Sequence, residues 1–193
     1  MEITKENSLE KATKIIKRGG IIICPTDTVY GLLCDAANGK AVENIFKIKK
    51  RDKSNPLPIF VSSLAMAKKL AYIDKKQENF LNEVWPGKVT VVLKRKPNCG
   101  LPEILFGGKQ TIALRVPNYK LIAGIIKKLK MPLAQTSANI SGKPASTEIK
   151  EVLRQFKTQK DKPDLVIDAG DLPESKPSKI IDLTENKVII LRK

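Results

Sequence analysis

The chain has 193 residues, 41% of them hydrophobic, enough to bury about 70% of the surface its unfolded form exposes and to stand without disulfide or metal staples. It contains no histidine, which excludes a serine-histidine triad, a histidine general base and the usual histidine metal sites, and its three cysteines form no Cys-x-x-Cys pair. The 36 Lys and Arg against 20 Asp and Glu leave a formal charge of +16, which favours polyanionic partners such as nucleic acid or nucleotide phosphates.

Met1 to Glu10 is too polar for a signal peptide, and no apolar run approaches the roughly 18 residues needed to cross a bilayer, so a cytoplasmic protein without membrane contact is expected. Ser8 can cap a first helix with Leu9, Ala12, Ile15 and Ile16 on one face, ended by Gly19-Gly20. Ile21 to Cys24 reads as a buried strand that stops at Pro25, and it delivers Thr26, Asp27, Thr28 and Tyr30 to its carboxyl end, where open α/β sheets place their ligands. Ala41, Val42, Ile45, Phe46 and Ile48 predict a second helix whose last turn, Lys47 to Arg51, is cationic; such charge suits the negative end of the helix dipole.

After a polar loop at Asp52 to Pro56, a strand is predicted over Leu57 to Val61, then a short helix from Ser62 or Ser63 through Ala71 and another from Asp74 to Trp85. Val89 to Leu93 is the next strand, and Lys94 to Lys109 is too rich in Gly and Pro to be regular. Gly107-Gly108-Lys109 is not a phosphate loop: Glu103 stands where the first glycine of Gly-x-x-x-x-Gly-Lys-Ser/Thr belongs, and Gln110 replaces its hydroxyl residue.

Thr111 to Val116 predicts a strand, Lys120 to Leu129 a helix, and Leu133 to Gln135 a short strand opening into a second hydroxyl-rich loop, Thr136 to Gly142. Ser146 can cap a helix carrying Ile149, Val152, Leu153 and Phe156. A strand over Leu165 to Ile167, a loop over Gly170 to Lys179, and a terminal hairpin of Ile180 to Leu183 and Val188 to Leu191 around Thr184-Glu185-Asn186-Lys187 complete the chain. Alternating strands and helices imply an α/β fold: one domain over residues 1–193, with a mixed parallel and antiparallel twisted sheet flanked by helices. Two hydroxyl loops and a basic cluster suit a ligand that combines phosphates with small polar groups.

Pro25-Thr-Asp-Thr-Val-Tyr-Gly-Leu32, Lys49-x-Arg51 with Asn55-Pro-Leu-Pro58, Ala113-Leu-Arg-Val-Pro117, Thr136-Ser-Ala-Asn-Ile-Ser-Gly142 and Pro177-Ser178 together resemble the YrdC-like family, in order and over nearly the whole chain. The resemblance implies the YrdC-like fold with a basic concave cleft, and a threonylcarbamoyl-AMP synthase: L-threonine, bicarbonate or CO2, and ATP give threonylcarbamoyl-AMP and pyrophosphate, with Mg²⁺ carried on the ATP phosphates. In the family this product feeds threonylcarbamoyl transferase proteins that modify adenosine 37 of tRNA. Carried over by position, the resemblance implies that Thr28, Tyr30, Arg115, Ser137 and Ser178 hold threonine. It implies that Lys49, Arg51, Asn55, Thr111, Asn139, Ser146 and Arg192 surround ATP, with Lys49 and Arg51 catalytic.

Two residues depart from the family pattern: Phe60 replaces a frequent histidine near the threonine, and Leu33 replaces a frequent glycine. The end of the chain just past Arg192 resembles the short bacterial type. Two rival readings are a non-catalytic module that binds double-stranded RNA or tRNA through its positive charge, and a paralogue that has lost the synthase motifs. Retention of Lys49, Arg51, Ser137 and Asn139 counts against the second.

Overall fold

The computed structural model describes residues 1–5, 8–185 and 187–193. Ten strands make one sheet: β1 (Glu2–Lys5), β2 (Ile22–Cys24), β3 (Gly31–Asp35), β4 (Ile59–Phe60), β5 (Val89–Lys94), β6 (Thr111–Arg115), β7 (Leu133–Ser137), β8 (Leu165–Asp168), β9 (Lys179–Asp182) and β10 (Ile189–Arg192). Their spatial order is β1-β8-β2-β3-β7-β4-β6-β5-β9-β10, with parallel and antiparallel neighbours mixed as the alternation of elements predicted. Among the described residues six α-helices flank it: α1 (Leu9–Lys17), α2 (Gly39–Lys49), α3 (Leu64–Leu70), α4 (Lys75–Val84), α5 (Lys120–Leu129) and α6 (Ile149–Lys157). Among the described residues no helix is long and apolar enough to cross a membrane.

The two-residue period of the strands sorts the core into two layers. Ile23, Leu32 and Cys34 face one side, where they meet Val42, Ile45 and Phe46 of α2 and Val152 and Phe156 of α6. Ile22, Cys24 and Leu33 face the other, against Ala12 and Ile16 of α1 and Ile122, Ile125 and Ile126 of α5. This second layer ends at Phe60 and Leu133. Farther along the same face, Ala113, Val92 and Ile180 of β6, β5 and β9 line an open cavity. The site exists because two helices cover only part of one face of a ten-stranded sheet.

Local signals fix most helix ends. Asn38 Oδ1 accepts from Ala41 N at 3.1 Å to start α2, and Asp74 with Gln77 forms a reciprocal capping box on α4. Lys50, at φ 52, ends α2 in the left-handed region. The α6 helix begins later than its expected cap: Ser146 Oγ accepts from Glu148 N at 2.9 Å in a turn that precedes the helix, while Asp171 Oδ1 accepts from Ile149 N at 3.0 Å. Capping comes from a residue 22 positions away because the chain after β8 folds back over this end.

Strands β1 and β3 were not expected. The Gly-Leu-Leu-Cys-Asp of β3 has no β-branched residue, yet it pairs on both sides, Leu32 with Ile23 and with Thr136. The predicted strand over Leu57 to Val61 narrows to Ile59–Phe60, and that over Leu133 to Gln135 extends to Ser137, which draws the first hydroxyls of its loop into the sheet. The terminal hairpin is present as antiparallel β9 and β10, and Asn186 in its expected turn lies outside the described residues.

Candidate active site

A cavity of about 680 Å³ opens on the bare part of the sheet face. Thr28, Tyr30, Arg51, Thr111, Arg115, Ser137, Ser178 and Arg192 all border it, so residues up to 164 positions apart in sequence share one wall. A second recess of about 460 Å³ shares Arg51 and Ser137 with it and adds Lys49, Asn55 and Asn139. Of the residues expected at the site, only Ser146 lines neither cavity; its carbonyl accepts from Tyr30 N at 3.4 Å, one residue behind the wall.

The threonine loop is held by its own hydroxyls. Thr26 Oγ1 accepts from Thr28 N at 3.0 Å and donates its only proton to the Val29 carbonyl at 2.7 Å. In the 3.0 Å contact between the two hydroxyls, Thr28 must therefore be the donor, and its oxygen keeps acceptor capacity beside the cavity. Gly31, next in the wall, is closely packed: a Cβ there would come within 3.2 Å of Thr26 Cγ2 and 3.3 Å of Leu33 Cδ1, so both would have to shift slightly.

Arg115 is buried and doubly anchored, with Nε donating to the Gly87 carbonyl at 2.8 Å and Nη2 to Asp27 Oδ1 at 2.6 Å. Burial lowers its pKa from the ordinary guanidinium range, the Asp27 carboxylate opposes that shift, and nearby Arg192 adds to it. The Phe60 ring lies 5.6 Å from the Arg115 guanidinium carbon. Phe60 thus meets the arginine with an aromatic face where a histidine would offer a polar contact.

Lys49 reaches from the end of α2 into the second hydroxyl loop. Its ammonium donates to the Ser137 carbonyl at 2.8 Å, the Asn139 carbonyl at 2.9 Å and Asn139 Oδ1 at 2.8 Å. Ser137 Oγ donates to the same Oδ1 at 2.6 Å, while Asn139 Nδ2 donates to the carbonyls of Ile140 and Lys143. Burial, and then the charge of Arg51, brings Lys49 down to about 7. Lys-x-Arg and Ser-x-Asn therefore join as one hydrogen-bonded unit, in which the lysine is spent on the protein and Arg51 faces the cavity. Arg51 is held by Nε on the Asn55 carbonyl at 3.1 Å and Nη2 on the Pro56 carbonyl at 3.0 Å, which leaves Nη1 unengaged among the described residues.

Across the cleft, Arg192 sets Nε and Nη2 on the Ser178 carbonyl at 2.8 and 2.6 Å, and Ser178 Oγ lies 2.8 Å from Thr90 Oγ1. Tyr30 borders the cavity, but its ring is fully buried in the core. Its hydroxyl donates to the Gly170 carbonyl at 2.6 Å and accepts from Ala169 N at 3.1 Å, and burial pushes it up to about 12. Tyr30 ties the start of the loop over Gly170 to Lys179 to the threonine loop.

Four polar wall residues were not anticipated from sequence: Lys109, Gln110, Gln135 and Asp182. Lys109 carried a signal in the Gly-Gly-Lys fragment. Gly107 there sits at φ +58 with its α-carbon against the Ser54 carbonyl, where a Cβ would come within 2.3 Å, so the fragment is a turn that aims Lys109 inward. Asp27, quoted within the loop, gave no sign of its tie to Arg115. Cys24 and Cys34 are buried, with thiols pushed well above their ordinary range, and take no part in the cavity.

A family model described as telomere recombination, Sua5/YciO/YrdC, matches residues 14–193. The chain is 38% identical over 192 residues to a protein of Methanocaldococcus jannaschii named putative threonylcarbamoyl-AMP synthase, spanning 99% of this chain and 87% of that one. It is 32% identical over 181 residues to the threonylcarbamoyl-AMP synthase of Cellvibrio japonicus, spanning 92% of each. Among solved structures, P. abyssi Sua5 complexed with L-threonine matches with a TM-score of 0.89 at 34% identity, over 99% of this chain and 56% of that one. The chain thus spans about half the length of that protein. E. coli YciO matches with a TM-score of 0.86 at 25% identity, over 100% of this chain and 94% of that one.

Proposed function

Because the chain belongs to the Sua5/YciO/YrdC family, we propose that it is a threonylcarbamoyl-AMP synthase, a nucleotidyltransferase acting on L-threonine, bicarbonate or CO2, and ATP. The observation that carries the reading is that Thr28, Arg115, Ser137 and Ser178 share one cavity with Arg51, Thr111 and Arg192. The first group suits a small zwitterionic amino acid. An acceptor hydroxyl on Thr28 meets an ammonium or amine, and the buried Arg115 meets a carboxylate.

In the proposed reaction the threonine amine attacks CO2 and loses a proton, giving a carbamate. A carbamate oxygen then attacks the α-phosphorus of ATP in line, the bond from that phosphorus to the bridging oxygen breaks, and pyrophosphate leaves with its electron pair. Such chemistry asks for alignment and for stabilisation of spreading negative charge, both of which a chain without histidine can supply. Arg51, its fork already fixed on two carbonyls, is placed to meet the phosphates, with Lys49 setting the Ser137–Asn139 wall beside it. Mg²⁺ would enter as a companion of the triphosphate, whose charge it neutralises. The product would pass to transferases that modify adenosine 37 of tRNA, and the positive surface charge suits contact with that polyanion.

The test is pyrophosphate release from ATP by the purified chain. Release is expected only with threonine and bicarbonate both present; equal release without threonine would rule the synthase out.

A further inference from the structure

Asp182 is the only acid among the described residues that line the 680 Å³ cavity, where Arg51, Lys109, Arg115 and Arg192 supply four cations. It sits at the end of β9, in register with Val92 of β5, which pairs in turn with Ala113 of β6. Its side chain is therefore on the cavity face, two strand spacings or roughly 10 Å from Ala113. The carboxylate is rigidly aimed: Oδ1 accepts from Thr184 N at 2.8 Å and from Thr184 Oγ1 at 2.7 Å. Oδ2 has no bond to any described residue.

On the synthase reading, a fixed carboxylate in this cavity repels each phosphate and the threonine carboxylate. With the threonine ammonium assigned to Thr28 and Mg²⁺ to the phosphates, the part left for it is a neutral, proton-donating group of the nucleotide. The positions that suit phosphates, Arg51 and the Lys49–Asn139 recess, lie at the opposite end of the cleft, beyond β6. This orients the sugar and base over β5 and β9, where Val92 and Ile180 offer apolar surface. A carboxylate oxygen with both lone pairs free suits two adjacent hydroxyls, each of which brings one proton.

We propose that Asp182 recognises the ribose of the nucleotide, its Oδ2 accepting the 2′- and 3′-hydroxyl protons, and so makes the enzyme selective for ribonucleotides. Asp182→Asn separates this role from a structural one. The amide oxygen can keep both Thr184 bonds, whereas the amide nitrogen is a donor and cannot accept a hydroxyl proton.

The experiment measures binding of ATP, 2′,3′-dideoxy-ATP and inosine triphosphate by calorimetry, with Mg²⁺, to the wild type and to Asp182→Asn. The wild type is expected to bind ATP about 10- to 100-fold more tightly than the dideoxy compound, the range for a hydrogen bond to a charged group. In the variant the ratio between the two should shrink to about threefold or less, because the amide can offer a hydroxyl oxygen only a neutral hydrogen bond, with threonine binding unchanged. A variant that keeps the discrimination, or a wild type that shows none, overturns the proposal. So does a variant that erases discrimination against inosine triphosphate instead, since the carboxylate would then read the base. Nucleotide binding is scored without turnover, so failure of the synthase reading, seen as pyrophosphate release independent of threonine, is distinguishable from failure of this one.

Discussion

Arg115 and Asp27, 88 residues apart in sequence, form a buried ion pair with Nη2 and Oδ1 at 2.6 Å. The second oxygen of Asp27 accepts from Asn118 N at 3.0 Å, so one carboxylate fixes both the arginine and the turn after β6. The threonine loop thereby sets the direction of the guanidinium proposed to meet the substrate carboxylate.

Removing Asp27 should hurt stability more than removing the pair. Asp27→Ala leaves a buried cation unpaired, at an expected cost of about 3 to 5 kcal/mol, whereas joint replacement of Asp27 and Arg115 by apolar residues of similar size should cost far less. Urea unfolding of the single and double variants measures this. Equal losses would mean that the pair carries no such penalty.

Arg51→Ala should lower turnover by about 10² to 10³, or roughly 2.7 to 4 kcal/mol of transition-state stabilisation, if its guanidinium meets the phosphates. The folded variant should retain threonine binding. An unchanged rate would remove Arg51 from the chemistry.

Lys49 gives a pH signature. Burial places its folded value near 7, below the ordinary lysine value that the unfolded chain has, so the unfolded state binds more protons between about pH 7 and 10. Stability relative to Lys49→Met should therefore rise with pH through that window and be flat below it. Denaturation of both proteins at pH 6, 8 and 9.5 tests the sign. A difference that falls as pH rises would show that the oxygens around the ammonium outweigh its burial.

Tyr30→Phe removes the only side-chain tie between the threonine loop and Gly170 among the described residues, and should cost about 0.5 to 1.5 kcal/mol, the net worth of a hydrogen bond whose exposed backbone partners at Ala169 and Gly170 can turn to water. Amide exchange should quicken over 169–178, the segment that carries Ser178 to the cavity. Exchange unchanged there would mean that the loop is held from elsewhere.

Much of the fold was legible. The helix over Lys120 to Leu129 was read with its observed ends because Ile122, Ile125 and Ile126 keep a helical period, and the structure closes it with a left-handed Lys130. The hydroxyl runs at Thr26 to Thr28 and Thr136 to Ser141 marked two pieces of the site, since such residues at strand ends have no core to join. Strand β3 was hidden because a strand buried on both faces shows no alternation, and Leu-Leu-Cys has no strong strand preference. Asp182 was hidden because an acid closing a strand reads as an ordinary turn.

Sequence by itself determined the periods, breaks and residue chemistries: which segments are helices, where polar loops leave the core, that histidine chemistry is absent, and which family the motifs resemble. Only the tertiary structure decided how those chemistries are spent. Lys49 bonds to oxygens 88 and 90 residues away, Arg115 is matched by Asp27, and Tyr30 turns from the cavity into the core. Such bonds depend on which strands lie side by side and in what register. Strand pairing is set by the burial of both sheet faces at once, a property of the assembled sheet that no single segment carries.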